Sequence, residues 1–119
     1  MAKILVIEDS ATERHGIKEA LEKAGHTVIE CNNGEEGVAK AKEEQPNLVL
    51  MDIVMPGMNG FQATRAITRD EATKHIPVII VTTKAQETDR LWGERQGASG
   101  YLTKPLDAKE LLAQVDKHL

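Results

Sequence analysis

Glu8, Asp9, Asp52, Thr82 and Lys104 stand at or just past the ends of short apolar runs, where separate segments can bring side chains to one place. Glu8 and Asp9 follow KILVI (3 to 7), and Asp52 follows NLVLM (47 to 51). Thr82 closes IPVIIV (76 to 81), and Lys104 lies beyond GYL (100 to 102). Three carboxylates gathered side by side repel one another unless a cation joins them. A hard ion such as Mg2+ suits that set, because it takes one or two carboxylates, keeps several waters and leaves positions for a phosphate. The two adjacent acids have no capping duty, since Ser10 already supplies the cap of the helix that follows. Asp52 is followed by Ile-Val-Met-Pro-Gly and therefore precedes a loop. The ammonium of Lys104 and the hydroxyl of Thr82 converge with the carboxylates on the same edge.

The elements that position these residues are legible in the same sequence. A chain of 119 residues is one domain, spanning 1–119. Its apolar runs, with TVIE at 27 to 30 as the second, alternate with longer helical patterns. The third and fourth runs are apolar on consecutive positions, as in parallel strands covered on both faces. Each helical segment opens with a capping residue followed three positions later by Glu or Gln: Ser10 and Glu13, Asn33 and Glu36, Asn59 and Gln62, Thr83 and Gln86, Asp107 and Glu110. Gly25 and Gly97 stand where a left-handed helix end is wanted, and Pro46 stops the second helix. In the first helix Ile17, Ala20, Leu21 and Ala24 form a stripe facing the sheet. Trp92, on the fourth helix, is expected to pack against the sheet, with a partner-facing role as the alternative, beside a Gly93 that costs the helix about 1 kcal/mol relative to Ala. The result is a doubly wound α/β fold, (βα)5, with short connections. In such sheets ligands bind outside the carboxyl ends of the strands, where the polar residues fall.

Composition removes other classes of function. The formal charge is −4, and no stripe of Lys or Arg is present to neutralise several phosphates, so direct nucleic-acid binding is not expected. No apolar run approaches the roughly 20 residues needed to span a bilayer, so membrane insertion is not expected either. The amino-terminal segment turns acidic at once and carries no export pattern, which points to the cytoplasm. Cys31 stands alone and reads as a small buried apolar residue.

The acid pair after the first strand, MDIVMPGMNG around Asp52, VTT closing the fourth strand and GYLTKP at 100 to 105 resemble the receiver domain of bacterial two-component response regulators. The resemblance covers essentially the whole chain. The stretch VIIVTTKAQETDRLWGERQGASGYLTKP is further similar to stand-alone receivers of the chemosensory pathways that control type IV pilus twitching motility.

The resemblance implies a flavodoxin-like sheet of order 2-1-3-4-5. It also implies that Asp52 accepts a phosphoryl group from the phosphohistidine of a histidine kinase, assisted by Thr82 and Lys104. Mg2+ would be held by Asp9, Asp52 and the carbonyl of Val54, with Glu8 on a metal-bound water. Thr82 and Tyr101 would be the switch pair, and the Lys104–Pro105 bond would be cis. A monomer with no effector domain would then act through helix 4, strand 5 and helix 5 on an output protein that the sequence does not name, without turning over an external substrate. The alternative is a phosphate sink with no target. Two further readings on similar folds fail on particular residues. A dehalogenase-like phosphatase would carry a second Asp two positions past Asp52, where Val54 stands. A flavin site would need a phosphate cradle where Glu8, Asp9 and Glu13 would repel one.

Overall fold

Each apolar run forms a strand and each capped segment a helix in the computed structural model, which describes residues 1 to 119. In chain order these are β1 (Lys3–Ile7), α1 (Ala11–Lys23), β2 (Thr27–Cys31), α2 (Gly34–Glu44), β3 (Leu48–Met51), α3 (Gly60–Arg69), β4 (Val78–Thr82), α4 (Glu87–Arg95), β5 (Gly100–Thr103) and α5 (Ala108–His118). The strands pair in parallel in the order β2-β1-β3-β4-β5, as expected. Ile7 lies opposite Met51 and Thr82 opposite Thr103, so the residues just past β1, β3, β4 and β5 emerge along one edge.

Alternating strand residues feed two cores. Ile4, Val6, Leu50, Val81 and Leu102 meet Ile17 and Leu21 of α1 and Leu111 and Val115 of α5 on one face. Leu5, Ile7, Val49, Met51 and Val78 meet Ala41 of α2 and Ala63 and Ile67 of α3 on the other. Of the expected α1 stripe, Ile17 and Leu21 are buried and Ala20 partly so. Ala24 is exposed, because the helix stops at Lys23 and Ala24 is its C-cap.

The caps bear out the sequence in part. Asn59 and Gln62 form a complete reciprocal box, with both bonds at 2.9 Å. Asn33 accepts from the Glu36 amide at 2.8 Å. Asp107 caps α5 one position early, accepting from Lys109 rather than from Glu110. The expected Thr83 cap is overturned: α4 begins at Glu87, with Gln86 as an N-cap that makes no side-chain bond. Its polar groups explain the delay, since the Lys84 amide donates to Thr82 Oγ and the Lys84 carbonyl accepts from Tyr101. Residue 84 is thus tied to two strands and cannot start a helix. Gly25 and Gly97 take the expected positive φ, 91° and 98°. The second helix ends at Glu44, with Gln45 at φ 47° ahead of Pro46.

The expectation for Trp92 is also corrected. Trp92 is 48% exposed and Leu91 53%, while Gly93 is the buried residue of α4. A Cβ at position 93 would lie 2.9 Å from Ile80 Cδ1 and 3.4 Å from the Tyr101 ring. The helix therefore approaches the sheet through its glycine. At about 100° per residue, the positions just before the glycine turn outward.

Candidate functional site

The strand ends deliver the expected acids to one place. Glu8 and Asp52 are buried, at 2% and 6% exposure, whereas Asp9 is exposed. Carboxylate oxygens of Glu8, Asp9 and Asp52 lie within 4.8 Å of one another. Asp52 is fixed from both sides. Its amide donates to the Ile7 carbonyl at 3.0 Å, and its Oδ1 accepts from the Ile53 amide at 2.8 Å. Gly60 lets the start of α3 close over this turn, because a Cβ there would collide with the Asp52 carbonyl.

Lys104 reaches back across the strand ends, as a long side chain two strands away can. Its amide donates to the Thr82 carbonyl at 2.7 Å, and the Lys104–Pro105 bond is cis. The ammonium lies 3.6 Å from Asp52 Oδ2, but its hydrogen bonds go elsewhere, to Glu8 Oε1 at 2.5 Å and to Glu13 Oε2 at 2.6 Å. Glu13, named in the sequence only among the acids that would repel a phosphate, is the residue whose tie to Lys104 the sequence pattern hid. Its place as the third residue of a capping box assigns it to the Ser10 amide. That amide donates instead to Glu8 Oε2 at 3.1 Å, leaving the Glu13 carboxylate free for Lys104. The signal available in the sequence was the count of acids: one divalent cation and one lysine balance three carboxylates, and Glu13 is a fourth.

The electrostatics follow from burial and contact. Burial pushes the Glu8 carboxyl up to about 7, against the opposing pull of its bond to Lys104. The Lys104 bond draws Glu13 below the usual carboxylate range. Burial works against the charge on Lys104, yet the bonds to Glu13 and Glu8 and the field of Asp52 prevail and raise its affinity for the proton. Lys104 is therefore an ammonium. An all-oxygen set of clustered carboxylates whose summed charge exceeds that of one lysine fits a hard divalent cation.

The remaining expected residues lie around this centre. Thr82 is fully buried, and its Oγ accepts from the Lys84 amide at 3.3 Å. Tyr101 is partly buried and donates to the Lys84 carbonyl at 2.7 Å, with the Arg90 guanidinium 5.7 Å over its ring. Burial, with Asp89 nearby, pushes its phenol up to about 12. The side chain of Val54 is 56% exposed in the loop after Asp52. Cys31 is buried, as expected, and burial pushes its thiol up to about 11.

Comparison with known proteins agrees with this geometry. Residues 4–116 match the family described as response regulator receiver domain. The chain is 59% identical over 116 residues to protein PilH of Pseudomonas aeruginosa, covering 98% of this chain and 96% of that protein. Its structure is similar to that of the chemotaxis protein CheY4 of Vibrio cholerae, with a TM-score of 0.94, 31% identity and coverage of 100% and 99%. It is also similar to the receiver domain of a Pseudomonas aeruginosa sensor histidine kinase with a magnesium ion coordinated in the active-site cleft. That TM-score is 0.91, at 29% identity and coverage of 98% and 96%. No helix is long and apolar enough to cross a membrane.

Proposed function

The chain belongs to the response regulator receiver domains, and from that membership we propose that it is a phosphorylation switch whose acceptor is Asp52. The observation that carries this reading is the placement of Asp52, buried among Glu8, Asp9 and Lys104 at the carboxyl edge of the sheet. In the transfer, a carboxylate oxygen of Asp52 forms a bond to phosphorus as the bond from phosphorus to the kinase imidazole breaks. Asp9, Asp52 and the Val54 carbonyl would hold Mg2+, with Glu8 beside them, and the ion would supply Lewis-acid stabilisation of the phosphoryl oxygens. Lys104 and the Thr82 hydroxyl supply donors for the charge, which rises from one to about two units.

Thr82 and Tyr101 are tied to each other through residue 84, one through its amide and the other through its carbonyl. Drawing the Thr82 hydroxyl toward Asp52 removes the acceptor of the Lys84 amide. The loop that Tyr101 also holds is then loosened, which carries the change to β5 and α4. We place the output on the α4, β5 and α5 face, acting on a protein partner. The exposed Trp92 and Leu91 favour such a surface over a phosphate sink. The similarity to PilH supports a place in pilus-linked twitching motility; we take the donor to be a chemotaxis-type kinase and the acting species to be a cytoplasmic monomer.

Asp52→Asn keeps the side-chain volume but removes the nucleophile, so it is expected to abolish labelling by acetyl phosphate or kinase while the circular dichroism spectrum is unchanged. Base-labile label retained on that variant would move the acceptor elsewhere. Phosphotransfer from a panel of histidine kinases tests the pathway, and preference for a kinase outside the chemotaxis class would refute that part of the reading.

A further inference from the structure

An ammonium has three donors, and two of those on Lys104 are directed at glutamates while Asp52 lies farther off, at 3.6 Å. The two glutamates are held differently. Glu8 is 2% exposed, and its second oxygen accepts the Ser10 amide, so it is fixed in place. The Glu13 side chain is 46% exposed and comes from the first turn of α1. Beside it a groove of about 330 Å3 opens between α1 and α5, lined by Gly16, Ile17, Ala20 and Leu106, so the carboxylate has room to swing away.

We infer that Glu13 is a positioning residue: it holds the Lys104 ammonium off Asp52 in the unphosphorylated protein, and it must release Lys104 before the lysine can pair with the phosphoryl group. This rests on the reading of Asp52 as acceptor and Lys104 as its partner. The two carboxylates that hold Lys104 arise from different needs. Glu8 is part of the acid cluster, whereas Glu13 is not among its three members and is tied to it by the bond to Lys104. Phosphorylation adds charge and oxygens at residue 52 alone, which shifts the preference of Lys104 from Glu13 toward that side. An ion pair with one partner half exposed is weak and is screened by salt. The latch therefore slows charging of the site without preventing it.

The test is the initial rate of Asp52 phosphorylation by acetyl phosphate with Mg2+ present, read by intact-protein mass spectrometry over a range of donor and salt concentrations. Glu13→Gln is expected to raise the maximal rate about two- to fivefold, the size of an exposed ion pair. The rise of that maximal rate with salt is expected to be smaller in the variant than in the unsubstituted protein. Glu19→Gln removes the same charge from the same helix, at a residue paired with Lys23, and is expected to change neither. An unchanged or lower maximal rate in Glu13→Gln overturns the inference. So does a gain confined to the donor concentration for half-maximal rate, which would mean that Glu13 only repels the donor, and so does an equal gain in Glu19→Gln. The Asp52→Asn control separates the two readings. Asp52-dependent label with no effect of Glu13 refutes the latch alone, whereas no such label in the unsubstituted protein refutes both.

Discussion

Val54 and Lys84 are the residues through which this site would set the lifetime of its phosphorylated form. Hydrolysis needs a water held in line behind phosphorus, and positioning that nucleophile is much of what a protein contributes to phosphoryl transfer. Val54 lies two past Asp52 and Lys84 two past Thr82, and both side chains are exposed, so both stand where they can meet solvent at the mouth of the site. Among receiver domains, to which the sequence motifs tie this chain, fast-cycling members tend to carry a carboxamide at the first position and a carboxylate at the second. Val54 can accept no hydrogen bond with its side chain, and an ammonium only donates. Slow loss of the phosphoryl group is therefore expected. Val54→Asn combined with Lys84→Glu is expected to speed the decay about tenfold after the donor is removed, equivalent to about 1.4 kcal/mol of barrier. Decay as slow as that of the unsubstituted protein would show that these side chains do not control the attacking water.

At the scale of elements, two helical glycines separate intrinsic propensity from packing. Gly16 lies mid-helix in α1 with nothing within 4 Å of the place a methyl group would take, whereas Gly93 in α4 faces Ile80 and Tyr101. Gly16→Ala is expected to stabilise the protein by about 0.5 to 1 kcal/mol in urea unfolding, the helix propensity gain alone. Gly93→Ala offers the same propensity gain but forces α4 away from the sheet, so it is expected to give no gain or a net loss. Equal stabilisation by both would mean that α4 already rides clear of β4. The same helix marks the limit of what could be read in advance. The strands were legible because KILVI, LVLM and VIIV are apolar on consecutive positions, and the acids were legible because they end those runs. The placement of α4 was not, because a cap-like Thr83 and a large Trp92 are locally good choices for a cap and a core anchor. Bonds from strands to residue 84 and a glycine contact decided otherwise. The bond of Glu13 to Lys104 was obscured in the same way, by a capping pattern whose second half Glu8 fulfils.

For the whole molecule, stability is concentrated in the sheet and in four of its five helices. The two cores draw side chains from α1 and α5 on one face and from α2 and α3 on the other, while α4 buries only a glycine. Hydrogen exchange is expected to be slowest in β1, β3 and β4, which are flanked by strands on both sides, and fastest among the helices in α4. Protection of α4 equal to that of α1 would contradict this distribution. A helix that meets the sheet through its backbone has a further consequence. Because folding makes few demands on the outward residues of α4, changes at Leu91, Trp92 and their neighbours can accumulate at little risk to the fold. Duplicated copies of such a chain could come to serve different partners by rewriting this one helix, keeping the phosphorylation chemistry intact while their signals become insulated from each other.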